Sequence, residues 1–417
     1  MLQSLLNAWK LPDLRKRLLF TAFIIAIYRF GSFIPVPGID LGAIQNLVAG
    51  GGVFAFLDLF AGGALERVAV FALGIMPYIT ASIIIQLLTI VIPQLEALAK
   101  EGEAGSKKIN QYIRYLTVVL ALIQSVGYVF LFRTQGAFPP DNALTPLKFY
   151  LIVLTLTVGT ALIMWLGELI TQRGIGNGIS LIIFASIVSR LPGGLYKMFS
   201  TMNPLEWLAM AIIALGVIAA IVLIQEGQRR VPIQYAKRVV GRRMYGGQST
   251  YLPLRINMAG VIPVIFASSV LVFPVTLAQM TPWSWAKRIA DVVGPRSWWY
   301  LIGEVLLIIL FTYFYTAVQF NPIDQADNLK KYGGFIPGIR PGRPTAQYLD
   351  RVLTRITLPG AVFLAAIAVL PTILIRGLGV PFYFGGTSLL IVVGVALDTM
   401  KQMEAQLLMR HYEGFLK

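Results

Sequence analysis

Residues 50–92 read GGGVFAFLDLFAGGALERVAVFALGIMPYITASIIIQLLTIVI. Two apolar runs of different length lie in this stretch. The second, 68–92, is long enough to cross a bilayer, because a spanning helix needs roughly 20 mostly apolar residues. The first, VFAFLDLFA at 53–61, is not. As a helix it would reach only about 13 Å at 1.5 Å per residue, less than half of a hydrocarbon core about 30 Å thick. Glycines bracket it at 50–52 and at 62–63. A short apolar helix hinged at both ends must pack on protein or line a cavity, since lipid cannot satisfy its backbone ends. It reads either as a movable stopper in a pore or as a static loop that covers a helix interface.

The rest of the chain calls for the same apolar solvent. Of its 417 residues 57% are hydrophobic and 13% charged, and the mean hydropathy is +0.73. A soluble domain carries about 25% charged residues, so this chain cannot cover a soluble surface. Ten apolar segments read as spans: 18–36, 68–92, 113–132, 149–170, 177–191, 206–225, 257–279, 299–319, 356–375 and 383–400. The stretch before the first is mixed and amphipathic, with no small-residue cleavage site after the apolar run, so the first span is expected to stay in the mature protein.

Lys and Arg orient the spans. With the N-terminus on the cytoplasmic side, the cytoplasmic segments hold 25 of the 35 basic residues, which favours both termini inside. Ten spans divide into two sets of five near residue 195. An odd number per half forces the halves into opposite orientation, the arrangement of inverted-repeat transport proteins. The expected fold is therefore all-α, with halves 1–195 and 196–417, the short stopper lying in the first.

Two connections, 226–255 and 320–355, are far longer than antiparallel helices require. They carry Arg238, Arg242 and Arg243, and Arg340 and Arg343, the last two in GGFIPGIRPGR at 333–343. The positive-inside tendency accounts for their sign. Their length suggests docking, either to RNA phosphates or to an acidic protein face.

Catalytic chemistry is hard to assemble from this chain. Cysteine is absent and histidine occurs once, as His411, which leaves neither a metal-ligand set nor a triad. The glycines of 174–178 have no strand before them and no Lys-Ser/Thr after, so they make no phosphate loop. Charges inside spans mark ion or proton pathways, and here they are few: Arg29, Glu168, Glu304 and Asp398. A proton-coupled transporter for a small solute and an intramembrane enzyme both fit poorly. An apolar interior fits better. Ile79 and Ile83 share one helix face, as do Ile179 and Ile183, and aliphatic constrictions can gate a pore by dewetting.

Long strings across the chain resemble the SecY family, the channel subunits of the bacterial Sec protein translocase. They are DLFAGGALER at 58–67, FALGIMPYITASIIIQ at 71–86, GIGNGIS at 174–180, NMAGVIP at 257–263, the 333–343 string, and PFYFGGTS at 381–388. The resemblance implies a clamshell of two inverted five-helix halves around an hourglass pore. It implies a pore ring of Ile79, Ile83, Ile179, Ile183, Ile265 and Ile391, and a plug containing Phe54, Phe56, Leu57, Asp58, Leu59, Phe60, Gly62 and Gly63. It implies a lateral gate carrying Ser82, Gln86, Ser268 and Ser269, and docking of the ribosome and the SecA motor on the basic loops. It further implies SecE and SecG as membrane subunits, signal sequences and nascent chains as the cargo, and a bacterial inner membrane as its site. The net charge of +16 separately points to anionic lipid headgroups or another anionic partner. No cofactor or metal and no enzymatic activity is implied.

Overall fold

The computed structural model describes residues 9, 11–49, 53–134, 136–138, 144–201, 203–235, 238–240, 243–245, 249–280, 283–292, 294, 297–378 and 386–414. In chain order the first elements are α1 (Pro12–Gly31), α2 (Leu41–Ala49), α3 (Val53–Phe60), α4 (Met76–Val91), α5 (Pro93–Lys100) and α6 (Glu103–Thr134). Then come α7 (Pro146–Arg173), α8 (Gly178–Val188), α9 (Leu191–Thr201), α10 (Pro204–Glu226), β1 (Gln228–Tyr235), β2 (Arg238–Val240), β3 (Arg243–Tyr245) and β4 (Ser249–Arg255). The chain continues through α11 (Ile262–Met280), α12 (Ser284–Val292), α13 (Trp298–Gln319), α14 (Pro322–Lys331), β5 (Gly334–Phe335), α15 (Arg343–Leu378) and α16 (Gly386–Gly414).

A helix lies on each of the ten apolar segments. Among the described residues six helical stretches are long and apolar enough to cross a membrane. The pair α4–α5 makes a seventh if its 101° bend is taken as one broken span. That bend falls at Ile92–Pro93, where proline has no N–H to continue the ladder. Local chemistry sets other helix starts. Thr145 Oγ1 accepts from Lys148 N at the head of α7, Asn177 Oδ1 accepts from Ile179 N and Ser180 N at α8, and Asn321 Oδ1 accepts from Ile323 N at α14. Each side chain replaces an intrahelical acceptor that the first turn lacks. Large apolar side chains such as Leu154, Leu215 and Leu306 are exposed on these helices, as expected of surfaces solvated by lipid.

The second span begins later than its sequence suggests. Residues 61–75 form consecutive turns instead of helix. Val68 there takes φ 44°, Gly74 takes φ 59°, and Pro35 and Ala69 form an isolated bridge. The run is apolar because it is buried in protein, not because it spans.

The described residues form two compact units. One comprises 1–202, 268–301 and 395–417, the other 203–267 and 302–394. In the first, small residues let backbones touch. A Cβ on Gly159 would meet the Val70 carbonyl oxygen at 2.0 Å, and one on Gly178 would meet that of Gly167 at 1.8 Å. Membrane helices associate through such close approach. Across α6 and α7 Ser125 Oγ lies 3.1 Å from Thr157 Oγ1, and Arg114 Nε donates to Glu168 at 2.7 Å.

The second unit carries the small sheet β4-β1-β5, antiparallel throughout, with Arg229 opposite Leu254 and Gln234 opposite Phe335. Val231, Leu254, Phe320, Ile336, Leu349, Val352 and Leu353 pack beneath it. The two long connections are thus folded: β1 to β4 make one, and α14, β5 and the start of α15 make the other.

Candidate functional site

The glycine-bounded run folds as the eight-residue helix α3. Phe54, Leu57, Asp58 and Phe60 are buried and Leu59 is partly buried; the side chain of Phe56 lies outside the described residues. Gly62 and Gly63 take φ 66° and 87°, the left-handed region that glycine enters without steric cost. Their tightness has a second reason. A Cβ on Gly62 would stand 2.9 Å from Arg29 Nη1 and 3.1 Å from Ser186 Cα, and one on Gly63 would stand 3.1 Å from Arg190 Nη2.

Those neighbours hold the end of α3 in place. Arg190, just beyond α8, donates from Nη2 to Asp58 Oδ2 and, at 2.9 Å, to Glu66 Oε2. Asp58 is 0% exposed, and its other oxygen accepts the Glu66 N–H at 2.9 Å. Arg29 Nη1 donates to the Gly62 carbonyl at 2.8 Å. Tyr28 Oη lies 2.6 Å from Ser186 Oγ and donates to the Ala61 carbonyl at 3.3 Å. A carboxylate on an otherwise apolar octapeptide is therefore neutralised by a charge from the turn after α8, and the turn after α3 is tied to α1. The guanidinium groups of Arg29 and Arg67 sit over the Phe33 ring, 5.2 and 4.2 Å from its centroid, a favourable cation–π geometry.

Behind α3 lies a small cavity. Leu57 of α3, Met76 and Thr80 of α4, Gln124 and Tyr128 of α6, and Ser269, Phe273 and Thr276 of α11 all line it. Beside it Phe273 packs on the cluster of Ala81, Ile85, Ile113 and Leu120 from α4 and α6. The gate candidates sit on these helices: Ser82 and Gln86 on α4, Ser268 and Ser269 on α11, the last two buried. The bond between Gln86 Nε2 and Ser82 Oγ, 3.3 Å, runs along α4.

Four of the six ring candidates belong to the first unit, Ile79 and Ile83 on α4 and Ile179 and Ile183 on α8; Ile265 on α11 and Ile391 on α16 belong to the second. All are buried except Ile179, which is partly so. Of the docking candidates Arg340 and Arg343 are exposed. Arg340 occupies the turn between β5 and α15, flanked by Gly338 and Gly342 at φ 81° and 104°, and its carbonyl accepts from Thr345 Oγ1 at 2.8 Å. Arg238 and Arg243 stand on the β2–β3 hairpin. Their side chains, and Arg242 entirely, lie outside the described residues. Among the described residues no group of three or more His, Cys, Asp or Glu side chains could hold a metal.

Sequence reasoning missed Arg190, Tyr28 and Ser186. One signal was available. A single acid in an apolar octapeptide requires an opposite charge, and Arg29 lies inside the first apolar segment and Arg190 at the end of the fifth.

The chain has clear relatives. A family model described as SecY matches residues 69–400. The protein translocase subunit SecY of Streptomyces scabiei is 51% identical over 443 residues, covering 100% of both chains. That of Mycobacterium tuberculosis is 47% identical over 449 residues, again covering 100% of both. A solved structure of a protein-conducting channel aligns with TM-score 0.63 at 21% identity, covering 94% of this chain and 92% of that one. A SecY structure, whose plug domain is described as stabilising the closed state of the translocation channel and maintaining a membrane seal, aligns with TM-score 0.65 at 19% identity over the same shares.

Proposed function

Since this chain belongs to the SecY family, we propose that it works as the protein-conducting channel of a Sec translocase, passing secretory polypeptides across the plasma membrane and releasing apolar helices sideways into it. It is a multi-pass membrane protein and a channel, not an enzyme. The observation that carries the mechanism is the seating of α3, a helix too short to span, by Arg190, Arg29 and Tyr28.

A secreted chain must cross a low-dielectric slab without opening an ion leak. In this reading α3 is the plug that seals the resting channel. Ile79, Ile83, Ile179, Ile183, Ile265 and Ile391 form a ring that closes around an extended peptide, yet offers its side chains no strong partner. The two inverted halves, 1–195 and 196–417, part at a lateral gate of α4 and α6 against α11 and α13. The packing of Phe273 on the α4–α6 cluster supports this assignment, as does the placement of Ser269 and Leu57 on one cavity. Polar pairs between membrane helices contribute about 0.6 kcal/mol each. An incoming signal helix outweighs that, because burying one large apolar side chain is worth about 1.5–3 kcal/mol.

Both termini face the cytoplasm of a bacterial inner membrane. The sheet β4-β1-β5 and the Arg340 turn dock the SecA motor and the ribosome through exposed guanidinium groups, Arg229 and Arg230 among them. SecE and SecG complete the membrane complex, and anionic lipids surround it. The test is translocation of a signal-bearing preprotein into proteoliposomes containing this chain, SecE, SecG, SecA and ATP. Protease-protected substrate that depends on this chain is expected. No protection, with the partners bound and a known channel active alongside, overturns the reading.

A further inference from the structure

Between α11 and α13 lies a connection that the channel mechanism leaves without work. Four of the seven tryptophans of the chain fall within it or at its end, Trp283, Trp285, Trp298 and Trp299. They are 58, 60, 65 and 67% exposed. Four indoles this exposed within 17 residues of sequence present a large apolar area. An indole is amphipathic, an apolar body with one N–H, and tryptophan concentrates where bilayer meets water for that reason.

Helix α12 between the two Trp pairs has nine residues, about 13 Å, and cannot span. It buries Ala286 and exposes Arg288. The segment 283–299 holds Lys287, Arg288 and Arg296 against one acid, Asp291. The aromatic groups are also held in order. The Trp283 and Trp285 rings stack with centroids 5.7 Å apart and planes 18° apart, and Ser297 Oγ accepts the backbone N–H of Trp299 at 3.1 Å where α13 begins.

We propose that 283–299 is an interfacial anchor docked in the headgroup layer of the non-cytoplasmic leaflet, with anionic phospholipid headgroups as its partner. The indoles sit at the ester level of that layer and the exposed Arg288 meets lipid phosphate. Charge complementarity and continuity with two apolar helices select lipid over a protein partner. The anchor ties together the outer ends of α11 and α13, both of them gate helices in the mechanism above, so this inference rests on that reading.

The test uses the full chain in vesicles of phosphatidylcholine and phosphatidylglycerol without partner subunits. Trp9, Trp165 and Trp207 are replaced by Phe, so that emission reports the four tryptophans of the connection. Alkali-washed flotation first establishes insertion; a chain lost at that step defeats the membrane reading itself. With the chain inserted, lipid brominated near the headgroup is expected to quench at least about twofold more than lipid brominated near the methyl end, as an interfacial indole requires. External iodide is expected to quench weakly. Strong iodide quenching without bromolipid quenching overturns the proposal and leaves the patch to a protein partner. Dominant quenching from the methyl end overturns it too. If the triple variant does not reconstitute, the difference in emission between the unaltered chain and W283F/W285F gives the same ratio. Arg288→Glu is expected to weaken shallow quenching in vesicles with phosphatidylglycerol and to leave it unchanged in phosphatidylcholine alone. An equal effect in both lipids removes the anionic partner.

Discussion

Arg190 and Asp58 are joined by an ion pair across 132 residues of sequence, and the carboxylate is fully buried. Removing one partner of a buried pair costs about 3–5 kcal/mol, much of it the penalty of stranding the other charge. Arg190 is partly exposed, so the cost here is expected near the lower end, about 3 kcal/mol. Arg190→Ala strands Asp58 and is expected to unseat α3. Asp58→Asn is milder, because Arg190 keeps Glu66 and the amide oxygen can still accept the Glu66 N–H. The double variant is expected to leak less than Arg190→Ala alone. Resting ion conductance in planar bilayers measures all three. Conductance of Arg190→Ala equal to that of the unaltered chain removes the latch.

Gly62 turns the chain out of α3 at φ 66° with Arg29 Nη1 and Ser186 Cα beside it. A Cβ in this conformation costs about 1–2 kcal/mol before any crowding. Gly62→Ala is therefore expected to lower Tm in detergent. Gly193 of α9, where an added Cβ meets nothing within 4 Å, supplies the control, and Gly193→Ala is expected to be neutral or slightly stabilising. Equal Tm changes in the two variants would show that Gly62 is not constrained by its turn.

Deleting residues 54–62 removes α3 and its carboxylate together. The resting conductance is expected to exceed that of Arg190→Ala, in which the helix is still present and unseated only part of the time. A deletion no leakier than the unaltered chain assigns α3 to the static-cover alternative.

That a helix lies on each of the ten apolar segments, and that the glycine-bounded run is a short one, was legible because length and hydropathy decide both. The start of the second span was not. Residues 68–75 are as apolar as the helix that follows, and hydropathy cannot separate an apolar turn buried in protein from an apolar helix facing lipid. The long connections could be read as docking surfaces from their length and charge, but not as a sheet, since β1 pairs with β5 about 100 residues later. Arg190 escaped notice for a similar reason. Its partners lie 132 and 124 residues away, and such a pair has no local pattern. Asp58 alone pointed to it.

Ile83 is buried on α4 and Ile391 is buried on α16. An aliphatic ring stays dry because it offers water no partner. Ile83→Asn or Ile391→Asn places an amide there, which wets the constriction and favours the open state. Export of substrates with defective signal sequences is expected to rise in either variant. Export of the same substrates at the unaltered level removes that position from the ring.

Arg340 is exposed in a turn whose shape does not depend on its side chain. Gly338 and Gly342 take the positive φ angles, and Thr345 bonds the Arg340 carbonyl. Its replacement is therefore expected to leave the fold intact, since exposed substitutions away from caps and special backbone positions change stability by about 0.5 kcal/mol or less. A guanidinium that meets an acidic partner surface contributes through complementarity, and like charge set against such a surface costs several kcal/mol. Arg340→Glu is expected to abolish motor-driven export in proteoliposomes with Tm unchanged, and Arg340→Lys to retain part of it. Raised ionic strength is expected to weaken the unaltered chain's coupling and to close some of the gap between it and Arg340→Glu, because screening acts on both attraction and repulsion. Normal export by Arg340→Glu would remove this residue from the docking surface, and export lost together with Tm would assign it to folding.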